Sequence, residues 1–134
     1  MSAYRKYGNK KVTTADDCHF DSIKESQRWC ELRMLEKAGM ITELRRQEKF
    51  VLIPTQYKTY ERFGKNGQPI KPLRKLLEHE CSYIADFVYH DNRTNDTVVE
   101  DVKGYRDPSS AGYAKFVIKR KLMLERYGIQ IREV

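Results

Sequence analysis

Hydrophobic and polar positions alternate most clearly in two short runs, Ser82-Tyr-Ile-Ala-Asp-Phe-Val-Tyr-His90 and Thr97-Val-Val-Glu-Asp-Val-Lys-Gly104. Both are rich in β-branched and aromatic residues, and the segment between them, Asp91-Asn-Arg-Thr-Asn-Asp96, is built of turn formers. The pattern predicts a β-hairpin. Elsewhere the period lengthens. Ser22 to Ala38 reads as a helix, opened by the capping-box sequence Ser22-Ile-Lys-Glu25 and closed by Gly39. Ile23, Trp29, Cys30, Leu32, Met34 and Leu35 form its broad apolar stripe. A second helix is expected over Ala111 to Tyr127, around Phe116-Val-Ile118 and Leu122-Met-Leu124, and ended by Gly128. Met40 to Pro54 and the closing Ile129-Gln-Ile-Arg-Glu-Val134 read as strands. The order is helix, strand, strand, strand, helix, strand. That predicts one α/β domain over residues 1–134, a mixed sheet flanked by helices.

Two stretches stand outside this order. Residues 1–20 read as a basic N-terminal arm, carrying Arg5, Lys6, Lys10 and Lys11. Residues 54–80 read as an insertion, with a strand at Tyr57–Phe63 and a turn at Gly64–Gly67. Within it, Leu73-Arg-Lys-Leu-Leu-Glu78 fits either one helical turn or the outer end of a strand running into Ser82. Its cations Lys58, Arg62, Lys65, Lys71, Arg74 and Lys75 make it a candidate substrate-facing element; the plainer reading is a solvated hairpin.

Composition narrows the partners. A net charge of +7 and a pI near 9.3 favour a polyanion, with nucleic acid ahead of a membrane surface. No apolar run approaches the roughly 20 residues of a membrane span, and the first residues lack the apolar core of a secretion signal. The expected location is therefore cytoplasmic. Cys18, Cys30 and Cys81 show neither a disulfide framework nor the spacing of a zinc pair. No glycine-rich phosphate loop and no small-molecule cofactor site are evident. His19, His79 and His90 receive no role.

The chemistry concentrates on the hairpin. Alternation puts Ile84, Asp86 and Val88 on one face of the first strand, and Val99, Asp101 and Lys103 on one face of the second. Closure about Arg93-Thr94 sets Asp86 opposite Asp101 and Ile84 opposite Lys103. Opposed carboxylates among apolar neighbours repel, and burial raises the cost. A cation offsets both, and oxygen donors suit magnesium or manganese. Glu100 falls on the other face, although a one-residue bulge would exchange it with Asp101.

Ala85-Asp86 followed by Asp101-Val-Lys103, with a helix glutamate ahead, resembles the signature of the PD-(D/E)xK nuclease superfamily. The predicted order matches that superfamily's restriction-endonuclease-like core, α-β-β-β-α-β. The chain further resembles a phage-borne branch of unassigned function through Lys6-Tyr-Gly, Phe20-Asp-Ser, Glu25, Gln47, Tyr83–Tyr89, Val99–Gly104 and Tyr127-Gly-Ile. The resemblance implies a magnesium-dependent DNA endonuclease in the cytoplasm of a bacterial or phage-infected cell. Asp86, Asp101 and the Val102 carbonyl would hold the metal, with Glu25 assisting, and Lys103 would serve the attacking water. Gln47 would bond the scissile region or the lysine. Lys119, with Lys121 second, would meet phosphate. Holliday junctions, other branched DNA, and nicked or duplex DNA all fit, and a homodimer would supply two cuts. Glu25 also closes the capping box, a purely structural duty. The alternative function is a non-catalytic nucleic-acid-binding module that keeps the nuclease fold.

Overall fold

The structure, a computed structural model, describes residues 11–14, 18–103 and 109–134. In chain order its elements are β1 (Val12–Thr13), β2 (His19–Phe20), α1 (Ile23–Lys37), β3 (Ile41–Ile53), β4 (Gln56–Phe63), β5 (Pro69–Glu78), β6 (Cys81–Asp91), β7 (Asp96–Asp101), α2 (Ala111–Tyr127) and β8 (Arg132–Glu133).

Local sequence explains both helices. The Ser22 side chain accepts a hydrogen bond from the Glu25 N–H at 3.1 Å and starts α1. At its far end, Met40 N–H bonds Leu35 O and Gly39 N–H bonds Glu36 O. These are the two bonds of a Schellman cap, with Gly39 at φ +76°, where an L side chain would be strained. Ser110 caps α2 in the same way through the Tyr113 N–H, and Gly128 (φ +67°) ends it.

Four strands form a mixed sheet in the order β3-β6-β7-β8. The first two pairings are antiparallel, and β7 with β8 is parallel. One helix covers each face. Trp29 and Leu32 of α1 pack with Phe20, Ile41, Phe87, Tyr89 and Val98, while Phe116 and Met123 of α2 pack with Leu52, Val88, Val99 and Ile131. The architecture is thus the expected mixed α/β sheet with two helices.

Several details differ from expectation. The α1 stripe is narrower: Ser26, Trp29 and Leu32 are buried, whereas Ile23, Cys30 and Met34 face solvent. Residues three apart on one side of the helix meet the sheet, and apolar residues off that line stay outside. The closing strand shrinks to Arg132–Glu133 beside Glu100 and Asp101. Leu73–Glu78 belongs to β5, paired with β4, which settles the helical-turn alternative. Of the expected arm, residues 1–10 and 15–17 lie outside the described residues, and Val12–Thr13 pairs with His19–Phe20, with Phe20 in the core. Among the described residues, no helix is long and apolar enough to cross a membrane.

Candidate active site

The hairpin of β6 and β7 closes in the predicted register. Asp91 pairs Asp96, Val88 pairs Val99 and Phe87 pairs Glu100. Phe87–Glu100 is the last pair of this ladder; Asp86 and Asp101 are the next residues of the two strands, near enough that Asp101 repels the Asp86 carboxylate. Glu100 points to the α1 side and Asp101 to the α2 side, so no bulge exchanges them.

The first strand departs from simple alternation. Tyr83, Ala85 and Val88 all pack on the α2 side, while Phe87 and Tyr89 pack on the α1 side. Strict alternation would put Ala85 with Phe87, so the strand changes face around Asp86. Ile84 is consequently 54% exposed rather than sharing a buried face with Val88. On the neighbouring strand, Gln47 lies between the pairs Arg46–Phe87 and Glu48–Ala85 and has φ +54°. A non-glycine residue in this region costs on the order of 1 kcal/mol. Both irregularities meet at Asp86.

Asp86 is half-buried. One of its oxygens, Oδ2, accepts the Val102 N–H at 2.7 Å, and Oδ1 meets Gln47 Nε2 at 3.5 Å. Asp101 is buried; Oδ1 accepts the Tyr83 hydroxyl at 2.9 Å and Oδ2 meets Lys103 Nζ at 2.5 Å. That second contact is an ion pair without hydrogen-bond alignment, so Oδ2 keeps an unused acceptor direction. The Lys103 ammonium also lies 3.5 Å from the centre of the Phe116 ring. Its backbone is held by Val134 O on its N–H and by Lys24 Nζ on its carbonyl, at 3.0 and 2.6 Å. Val134 N–H bonds Asp101 O, so the Val102 peptide lies on the opposite edge, toward Asp86.

Glu25 stands at the start of α1 with its backbone in the cap and its side chain turned toward the hairpin acids. Its N–H closes the cap on Ser22, and its half-buried carboxyl sits within electrostatic reach of Asp86, Asp101 and Asp21. Burial first, and then repulsion from those acids, pushes Glu25 up to about 7. Burial likewise raises Asp86 to about 6, with Asp101 adding repulsion against the Val102 N–H and Lys103. Glu25, Asp86, Asp101 and Asp21 are therefore set against two cations, Lys103 at Asp86 and the Arg46 guanidinium at Glu25. An oxygen-only donor set with excess negative charge fits magnesium or manganese. Among the described residues, no three such side chains already stand together as a metal-holding group.

The remaining predicted residues separate. Lys119, with Lys115, lines an open cleft of about 450 Å³ whose other walls include Ser82, Tyr83, Ile84 and Phe116. Tyr83 and Phe116 connect this cleft directly to Asp101 and Lys103. Lys121 is exposed and outside the cleft lining. Sequence reasoning missed Tyr83 as a partner of Asp101 and Lys24 as a partner of Lys103. It also missed the clamp beneath the site, where Arg28 of α1 holds the fully buried Glu100 by two bonds of 2.7 Å and Tyr89 donates its hydroxyl to the same carboxylate. Arg28 lies one helical turn beyond Glu25 on α1, and Glu100 immediately precedes Asp101. The clamp therefore fixes α1, and Glu25 with it, against β7. No spacing signal marks a partner 72 residues away.

No curated protein and no solved structure matches the chain. One family does, over residues 4–132, and the chain belongs to it: the family described as a protein of unknown function, DUF1064.

Proposed function

We propose that this protein is a metal-dependent DNA endonuclease with a restriction-endonuclease-like core, supplied by α1, β3, β6, β7, α2 and β8 in that order. One observation carries the reading: Asp86 and Asp101 follow the last pair of the hairpin ladder, Phe87–Glu100, near enough that Asp101 repels the Asp86 carboxylate, and Lys103 stands against Asp101. Asp86, Asp101 and the Val102 carbonyl would hold magnesium or manganese, and Glu25 would complete the set. When bound, such an ion neutralises phosphate charge and makes water a better nucleophile.

The chain's own groups do the rest. Lys103 presents its ammonium where charge develops on the phosphate and can orient the attacking water. Tyr83 holds the Asp101 carboxylate in one orientation. Lys24 anchors the Lys103 backbone. Lys119 and Lys115 offer cations to phosphates in the adjoining cleft, contacts that add affinity without reading sequence. Branched DNA is the substrate class to test first, because the resemblance extends to junction resolvases.

The test is a panel of Holliday junctions, flaps, duplexes and single strands incubated with magnesium. Wild type should cut at least one of them, and EDTA should stop it. Asp101→Asn should lower cleavage by about 100-fold or more. Cleavage untouched by that substitution would remove the site assignment. Metal-dependent DNA binding with no cutting of any substrate would favour the non-catalytic binding module.

A further inference from the structure

The strands β4 and β5 form a ladder of their own, separate from the four-stranded sheet. Every residue of both strands is exposed. The ladder nevertheless continues the β3–β6 pair: Ile53–Cys81 closes one ladder, and Gln56–Glu78 opens the next. Pro54-Thr55 and His79-Glu80 make the break. The result is a two-stranded arm roughly 30 Å long, at the usual rise per strand residue.

Its composition is unusual for a surface hairpin. Lys58, Arg62, Lys65, Lys71, Arg74 and Lys75 stand against only Glu61 and Glu78. Lys58 and Lys75 are directly opposed across the strands, a destabilising placement for like charges. Their ammonium groups lie over the same Tyr60 ring, 5.1 and 5.5 Å from its centre. Arg74 lies 3.5 Å over the Tyr57 ring on the other face. Cations thus occupy both faces of the arm, and Phe63, Ile70 and Leu77 remain exposed along it.

We infer that this arm lies in a groove of duplex nucleic acid and contacts the flanking phosphates, delivering the duplex to the cleft beside Asp86. A two-stranded ribbon fits the roughly 12 Å major groove. Two features favour the duplex over other partners. A single strand is held by bases stacked on a series of open aromatic faces, whereas on this arm Arg74 covers Tyr57, the two lysines overlie Tyr60, and Phe63 alone is left open. A second copy of the chain would bring one cationic arm against another. The route to the site is also continuous. Past the arm, β6 presents Ser82 and Ile84 to the cleft lined by Lys115 and Lys119, and Asp86 follows within roughly 13 Å of Ser82 at the strand rise. The path to the site rests on the nuclease reading; the duplex contact does not.

The experiment measures binding of a fluorescent duplex by the full-length protein in EDTA, across a salt series, so that no cleavage intervenes. The triple substitution Lys58→Gln, Arg74→Gln and Lys75→Gln should weaken duplex binding at least about tenfold and reduce the salt slope by about 2–3, near 0.9 per phosphate contact. A matched variant, Lys37→Gln, Arg93→Gln and Arg126→Gln, removes the same charge from exposed positions elsewhere and should change the slope much less. Unchanged affinity and slope in the arm variant would overturn the inference, as would equal losses in the two variants. An equal loss on a single-stranded oligonucleotide would also overturn it. So would loss of self-association in sedimentation while duplex affinity stays intact. If wild type binds the duplex through the arm yet cuts nothing with magnesium, the nuclease reading fails and the arm's role stands.

Discussion

Glu100 and Asp101 are consecutive residues of one strand, both buried, and their surroundings are opposite in kind. Glu100 is matched: Arg28 grips both its oxygens and Tyr89 donates a third bond. Asp101 has one hydroxyl and one lysine, shares its surroundings with Asp86 and Glu25, and leaves an acceptor direction unused. A buried carboxylate whose charge is fully answered holds elements together, because removing its partner is expensive. A group of carboxylates with too few cations stores repulsion that a bound cation can release. Glu100 is closed by Arg28 of α1, whereas Asp101, with Glu25 of the same helix in electrostatic reach, has room to be completed.

The largest effect should come from breaking the matched side. Arg28→Met leaves Glu100 buried with only Tyr89 and should cost about 3–5 kcal/mol of stability, read as a lower denaturant midpoint. The double substitution Arg28→Met with Glu100→Leu should recover much of that loss, since it removes the orphaned charge. Asp101→Asn, one residue along, should move stability by less than about 1 kcal/mol while abolishing most cleavage. Equal destabilisation by Arg28→Met and Asp101→Asn would erase the contrast between the two faces.

The unequal pair was half visible in the sequence. Turn formers placed symmetrically between two β-rich runs were enough to set Phe87 against Glu100, and hence Asp86 beside Asp101, because a hairpin's register follows from its turn. Ser22, Gly39 and Gly128 marked helix ends because capping is local chemistry. The clamp was not legible. Arg28 reads as one more surface charge on a helix until folding brings Glu100 beneath it. The change of face around Asp86 and the positive φ of Gln47 were hidden for a related reason. Nothing in period-two alternation announces where a sheet departs from it. Met34 and Ile23 misled in the other direction, since apolar type alone does not say which side of α1 meets the sheet.

Protons should substitute partly for a metal at the unmatched side. Glu25 and Asp86 titrate higher in the folded chain than their ordinary values of 4.5 and 3.8, near 7 and 6. Between about pH 4 and 7 the folded state therefore binds more protons than the unfolded one, and stability falls as pH rises through that window. The metal-free protein should melt at a higher temperature at pH 5 than at pH 8. Glu25→Gln should flatten the difference. Manganese should raise the melting temperature more at pH 8 than at pH 5, because at pH 5 it must displace protons. A metal-free protein that melts higher at pH 8, with Glu25→Gln behaving as wild type, would show that these carboxyls are not in tension.

The smallest expected effect bears on why the sheet is irregular here. Gln47 adopts a positive φ inside β3, and its side chain reaches only to a long 3.5 Å contact with Asp86. If the backbone there were ordinary packing, glycine would only loosen the strand. Gln47→Gly relieves an unfavourable conformation worth about 1 kcal/mol and gives back a similar amount in unfolded-chain entropy, so the melting temperature should shift little. Cleavage should nevertheless fall several-fold, because Asp86 loses a neighbour that steadies one oxygen. Gln47→Asn separates the two contributions: asparagine tolerates the same φ, yet its shorter side chain cannot reach Asp86 as glutamine does. Reduced cleavage in both variants assigns the role to the side chain. Full activity in Gln47→Asn, with loss only in Gln47→Gly, assigns it to the backbone that positions Asp86.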